Sequence, residues 1–411
     1  MTKCSPNQLF EEKLSICNFF SIEKFEWNIN NLNILVGPMA SGKSISMKLV
    51  YFFEKAPKYL EKANSKDSDV ISKYLNEKFN KIFGIEDQKG CGLEKTELTY
   101  IFREKLGDER NDDFNPKTND IFNLAAKWSE SKMRLKWEIE TNFRTIEELK
   151  DISSDFFPLR PVFIPASRST ASVKPLEKNK NKDGIYDDPY IEKDYFLKKF
   201  LKYKREFLLN FNETKLNSNQ DLENTLDILE VKKKDDTLVF KNKRRTYVNL
   251  DCLASGQAEN LYLLPFICDM DYIQNPLTSL FIEEPDAHLF PGNQLEVIKF
   301  LVERLNKVRN EINKEGAFFL STHSTYIIDR ICTFLLNGVA QEKGKEYIKE
   351  LTLFDIKDVS VYAIKPNKDR THFTVEKFGI HETGYFIDDP MFGVVDIIDA
   401  DNEKLFNAIE A

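Results

Sequence analysis

Apolar residues fall along this chain in short blocks whose spacing separates strands from helices. Asn33-Ile34-Leu35-Val36, residues 278–282, Phe318-Phe319-Leu320 and Pro161-Val162-Phe163-Ile164-Pro165 are near-continuous apolar runs. Such runs are expected of strands buried on both faces. Residues 14–20 read as a first strand ending in a turn. Residues 97–102 and 133–139 alternate apolar with polar and are expected in an antiparallel layer. Helical spacing appears over residues 44–54, through Ile45, Met47, Leu49, Val50 and Phe53, and again over 70–83. Residues 194–211 set Phe196, Phe200, Tyr203, Phe207 and Phe211 at steps of three and four, an amphipathic helix, and residues 222–231 continue that helical lobe. Residues 359–364 and 372–375 predict a hairpin around Pro366-Asn367-Lys368-Asp369, with a terminal helix after Pro390. The rest of 55–130 is polar and reads as an insertion. No heptad pattern is sustained, which argues against a long coiled-coil arm.

Composition narrows the class without changing the element reading. The chain has 411 residues, 41% hydrophobic and 31% charged, with a formal net charge of −8. These are ordinary values for a folded soluble chain. No apolar stretch is long enough to span a membrane, and the first residues lack the apolar core of a secretory signal, so a cytoplasmic location is expected. The six cysteines (Cys4, Cys17, Cys91, Cys252, Cys268, Cys332) show no C-x-x-C spacing and read as reduced thiols. Net acidity argues against a chain-wide nucleic-acid surface. Residues 171–250 differ, with 18 Lys/Arg against 14 Asp/Glu, a balance of +4. This segment reads as a solvated helical surface, with contact to nucleic acid as the alternative.

Four motifs carry the chemistry. In Gly37-Pro38-Met39-Ala40-Ser41-Gly42-Lys43-Ser44, glycines let backbone N–H groups approach phosphates at a helix N-terminus. Lys43 is expected at the β- and γ-phosphates of ATP, and the Ser44 hydroxyl on Mg²⁺. Glu283 and Glu284 end an apolar strand. The first is expected to hold Mg²⁺, with one methylene more than the usual aspartate, and the second to deprotonate the attacking water. Ser255-Gly256-Gln257 before a helix makes a second anion site, suited to the γ-phosphate held by another subunit. His323, in Ser321-Thr322-His323, is placed to sense that phosphate or help position the water. Order and spacing together predict an α/β fold: a P-loop NTPase with an ABC-type ATPase head, a mostly parallel central sheet, an antiparallel β layer and a short helical insertion lobe. The expected divisions are 1–170 (phosphate loop and antiparallel layer, with the polar insertion), 171–250 (helical lobe) and 251–411 (signature, acidic pair, histidine, final hairpin and helix).

At these residues the chain resembles a known family. Residues 283–291 (Glu-Glu-Pro-Asp-Ala-His-Leu-Phe-Pro) and Ser321-Thr322-His323-Ser324 are similar to the ABC ATPases of the OLD (overcoming lysogenization defect) group and their AAA-15-like antiphage relatives. Residues 16–44 and Phe163-Ile164-Pro165-Ala166-Ser167-Arg168-Ser169 are similar to it too. The resemblance implies heads that pair around two ATP molecules, as a homodimer or higher homo-oligomer, and work with a nuclease in defence. It departs from transporter ATPases in having no glutamine between Gln88 and Gln220. Ser167 or Arg168 takes that place, and Arg168 is therefore expected at the nucleotide. Phe290 stands where relatives often carry a second histidine. A TOPRIM nuclease domain is not expected within 324–411, so the effector, a nuclease or toxin, is expected on a separate chain, as in a PARIS-type ATPase subunit. The alternative is a DNA repair or recombination ATPase of the SMC-like or recombination-mediator type. A transporter ATPase and a small-molecule kinase follow, disfavoured by the missing glutamine and by the presence of Ser255-Gly256-Gln257 and His323 respectively.

Overall fold

The computed structural model describes residues 10–65, 67–85, 88, 92–104, 120–139, 161–168, 194–210, 231–234, 237–241, 247–249, 260, 263–264, 267, 279–312, 317–349, 351–367, 371–382, 384 and 386. The first described elements are β1 (Phe10–Phe19), β2 (Ile22–Ile29) and β3 (Leu32–Val36), followed by the helices α1 (Lys43–Ala63) and α2 (Ser68–Phe83). Strands β4 (Glu97–Glu104), β5 (Asp120–Ser129), β6 (Arg134–Ile139) and β7 (Val162–Ile164) come next, then α3 (Tyr195–Asn210). Three short strands, β8 (Val231–Lys234), β9 (Thr237–Lys241) and β10 (Tyr247–Asn249), form an antiparallel sheet of their own. Later described elements alternate β11 (Leu280–Glu283), α4 (Pro291–Ile312), β12 (Phe318–Thr322) and α5 (Thr325–Glu342), followed by β13 (Val359–Pro366) and β14 (Phe373–Lys377).

Among the described residues, all strands but β8–β10 hydrogen-bond into one eleven-stranded sheet in the order β6-β5-β4-β1-β2-β14-β13-β3-β12-β11-β7. From β13 to β7 the pairing is parallel. From β2 to β6 it is antiparallel. The expected antiparallel layer is therefore an extension of the central sheet, joined to it because β14 pairs parallel with β2 and antiparallel with β13.

Each face of the sheet has its own core, and strand alternation decides which residue serves which. Leu32, Ile34 and Val36 of β3 point to the α4–α5 side with Leu280, Ile282 and Leu320. Leu35, Phe281 and Phe319 point to the α1 side. There Phe163, Phe281 and Phe319 sit at paired register positions on β7, β11 and β12 and stack, with ring centroids 5.8 and 4.4 Å apart. The parallel strands are buried on both faces, as their unbroken apolar runs require.

Two expectations need adjustment. Among the described residues of 55–130, the expected helix (α2) and strand (β4) are present, but α1 also runs on to Ala63 through Pro57 and β5 joins the central sheet, so that Leu75, Phe79, Tyr100, Phe122 and Leu124 are buried. The lobe 171–250 is also not all helix, since 231–249 supplies β8–β10; Thr237-Leu238-Val239-Phe240 is rich in the branched and aromatic residues that favour strands. Residues 222–230, Ser255-Gly256-Gln257 and the helix expected after Pro390 lie outside the described residues. Among the described residues, no helix is long and apolar enough to cross a membrane.

Candidate active site

Parallel pairing brings distant motifs to one edge. β3, β12, β11 and β7 are neighbours, so residues 37–44, 321–323, 283–284 and 165–168 all leave the sheet at its carboxyl side. In the glycine loop, a Cβ on Gly37 would lie 2.8 Å from the Ile364 carbonyl oxygen, so the loop seats directly on the end of β13. Gly42 has φ +100°, a conformation side chains resist, and begins α1. Ala40 also adopts positive φ. Met39 stands 82% exposed at the tip.

Lys43 folds back across this loop and donates to the Gly37 and Pro38 carbonyls at 2.9 and 2.7 Å. Its Nζ also lies 3.2 Å from His323 Nε2, which in turn is 3.2 Å from Glu284 Oε1. A single ring nitrogen cannot accept from Lys43 and donate to Glu284 at once, so the tautomer of His323 selects its partner. This Lys43–His323–Glu284 chain joins the phosphate end of the site to the carboxylate end. The His323 contact, ahead of the opposing effect of burial, holds the Glu284 carboxyl below the usual range, with Lys43 and Arg168 adding to it. Glu284 is thus ionised at neutral pH, as a base must be.

Burial pushes the Lys43 ammonium down to about 8, against the pull of Glu284, Asp286 and Glu283. A phosphate arriving there would raise it again, so binding should take up a proton from pH 8 upward. Nucleotide affinity is then expected to be level below about pH 8 and to fall above it, by up to about tenfold per pH unit. Titration with a fluorescent ATP analogue between about pH 7 and about pH 9.5 checks this; a flat profile would remove Lys43 from the phosphate site.

The acidic pair is held by a device that the sequence did not disclose. Glu284 sits at φ 46°, left-handed and costly for a non-glycine residue. Its N–H donates to the Ser321 carbonyl at 2.9 Å and its own carbonyl accepts from Arg168 Nη2 at 2.6 Å. Arg168, 1% exposed, also donates from Nη1 to the carbonyls of Glu283 and Pro165. Arg168, expected at the nucleotide, here commits Nη1 and Nη2 to backbone carbonyls: its rigid fork fixes the backbone that aims both carboxylates. The neighbouring Ser167 hydroxyl donates to Asp194 at 3.3 Å, and Asp194 caps α3 by accepting from the N–H groups of Phe196 and Leu197.

Glu283 uses its extra methylene to reach sideways, where Oε2 accepts from the Ala166 N–H at 2.8 Å. Its Oε1 is buried with no hydrogen-bond partner among the described residues. A buried, unsatisfied carboxylate oxygen beside a phosphate loop fits a hydrated Mg²⁺. Ser44, the expected second metal contact, is the second residue of α1 at the same edge. Asp286 and Thr322 are further residues that sequence reasoning left without roles. Thr322 Oγ1 donates to Asp286 at 2.8 Å and accepts from the Ser324 N–H, tying the segment after β11 to the end of β12 beside His323. Burial raises the Asp286 carboxyl. Ser324 in turn donates to Gln294 of α4 at 2.5 Å. Phe290 is 78% exposed beyond the acidic pair.

A family model described as AAA ATPase domain matches residues 12–328. Among solved structures, an SMC head bound to the C-winged helix domain of ScpA is 14% identical over 90% of this chain and 98% of that one, at a TM-score of 0.44. The SMC head domain from Thermotoga maritima is 10% identical over 90% and 99%, at 0.41. The Smc head domain with an extended coiled coil, bound to the C-terminal domain of ScpA derived from Pyrococcus furiosus, is 10% identical over 90% and 96%, at 0.42. Identities and TM-scores this low say nothing of what this chain binds or does. No curated protein matches the chain.

Proposed function

Because the chain belongs to the AAA ATPase domain family, we propose that it binds and hydrolyses ATP and uses the cycle to pair two heads and control a separate effector. The observation that carries the catalytic part is the Lys43–His323–Glu284 chain at the edge where the phosphate loop and acidic pair meet. Gly37 to Lys43 would hold the phosphates, and Glu283 and Ser44 the Mg²⁺. The ion would neutralise charge on the phosphates during transfer. Glu284, ionised, accepts the proton of the attacking water; His323 Nε2 orients that carboxylate once phosphate draws Lys43 away. Arg168 keeps both carboxylates aimed throughout.

Pairing is supported by exposed apolar groups at the same edge. Met39, Phe290 and Tyr326, 48% exposed, follow β3, β11 and β12 and offer surface that a second head would cover. Ser255-Gly256-Gln257 would then meet the γ-phosphate across the interface. A role in antiphage defence, with a nuclease or toxin as effector, rests on the resemblance of residues 283–291 and 163–169 to the OLD group. Release of phosphate from MgATP, abolished by EDTA, tests the enzymatic reading. Ser255→Arg is expected to leave ATP binding by one chain within about twofold of wild type while abolishing the ATP-dependent pair. Light scattering with and without ATP measures it, and a normal pair in that variant would sink the trans site. Stoichiometric capture of a nuclease or toxin chain with the ATP-loaded protein from its host would support the effector; repair proteins or DNA instead would favour a recombination ATPase.

A further inference from the structure

The seam between α1 and α3 gathers lysines and tyrosines away from the nucleotide edge. On α1, Lys48, Tyr51, Lys55, Lys58, Tyr59 and Lys62 share one stripe about 100° wide at helical spacing. α3 answers with Lys199 and the exposed Lys202. Lys199 Nζ donates to the Tyr51 hydroxyl at 2.7 Å, and Lys55 and Lys199 lie over the Tyr51 ring at 4.7 and 5.3 Å from its centroid. Lys48 lies 5.3 Å from the ring centre of Phe196 on α3. Lysine amines from two helices therefore converge on one aromatic seam, although their positive charges repel one another.

We propose that this seam is a nucleic-acid contact in which lysines of α1 and α3 take backbone phosphates. Three observations select that partner. Lys48, Lys55 and Lys62 recur every seven residues, about 10 Å of helix rise each, so the row runs roughly 20 Å and suits a chain of phosphates rather than one. Half-buried Tyr59 and Tyr195 stand among the lysines and add aromatic surface to the seam. The helix α3 lies inside the segment 171–250, whose balance is +4 in a chain of −8. Burial first, and then Lys199, Lys58 and Lys62, push Lys55 down to about 6, so its amine is largely uncharged at neutral pH until an anion at the seam draws a proton onto it. Of the acidic side chains nearby, Glu77 pairs with Lys78, Glu54 is buried facing Glu12 and Asp194 caps α3, while Glu61 of α1, between Lys58 and Lys62, leaves the stripe with an excess of lysines.

The test uses the full chain and a fluorescein-labelled DNA duplex of about 30 base pairs, read by anisotropy across a salt series. Wild type is expected to bind, and Lys58→Glu/Lys62→Glu to bind at least about tenfold more weakly, with a log Kd against log salt slope smaller by about 2. Lys58→Arg/Lys62→Arg should restore both. Lys199→Gln, which adds no acid, should weaken binding in the same direction. No binding by wild type, binding unmoved by charge reversal, or equal binding of polyglutamate would each overturn the proposal. ATP turnover in the same preparations separates this site from the catalytic one: it should be unchanged in every variant, because none of these residues touches the phosphate loop.

Discussion

Glu284→Gln is expected to bind ATP as wild type does and to turn it over about 10²–10⁴-fold more slowly, the range for loss of a positioned general base. The substitution keeps shape and removes only the charge. His323 Nε2 can still donate to the amide oxygen across the 3.2 Å now spanned to Glu284 Oε1. The left-handed backbone at this position is fixed through main-chain atoms, by Arg168 on the carbonyl and by Ser321 on the N–H, so it does not depend on the side chain. Affinity should therefore survive while hydrolysis fails, and the ATP-dependent pair should accumulate. Single-turnover phosphate release beside an equilibrium binding curve separates the two. Near-normal turnover would show that another group activates the water.

Lys43→Ala is expected to weaken ATP binding by about 10²-fold or more. Charge-assisted hydrogen bonds contribute about 1.5–3 kcal/mol each, and the loss of two such contacts to phosphates reaches that factor. In the free protein the same ammonium ties the Gly37 and Pro38 carbonyls together, so its removal also loosens the loop. The charge it carries is partly suppressed by burial, which limits what folding loses with it. Binding should thus fall far more than stability. Calorimetric titration with ATP and a thermal melt on one sample compare them. A variant that binds ATP normally would remove residues 37–44 from the nucleotide site, whatever its melt.

The two predictions differ in how much of their basis could be read in the chain. Residues 37–44 declare a phosphate loop by themselves, because glycine at Gly37 and Gly42 answers local demands: close approach to Ile364 and a positive φ. A place for His323 near the γ-phosphate and the water was suggested by adjacent apolar strands, but its contacts with Glu284 and Lys43 depend on β12 lying between β3 and β11. Arg168 shows the limit most clearly. Sequence placed it near the site through a missing glutamine, yet its role comes from carbonyls more than a hundred residues away. Strand β5 escaped notice because its residues do not alternate cleanly: Phe122, Asn123, Leu124, Ala125 and Ala126 are buried in succession.

What the sequence determined by itself are properties set within one turn or one strand. They are the phosphate loop, the buried parallel strands, most helices, and two carboxylates and a histidine at strand ends. Backbone conformation and side-chain period encode these locally. Tertiary structure decided which strand lies beside which, and so decided the rest. It made the antiparallel strands an extension of the central sheet, turned Arg168 into a clamp on the acidic pair and tied Asp286 to Thr322. It also laid the lysines of α1 against those of α3. Such contacts join residues that no local pattern relates, and they exist only once hydrophobic burial has chosen the strand order.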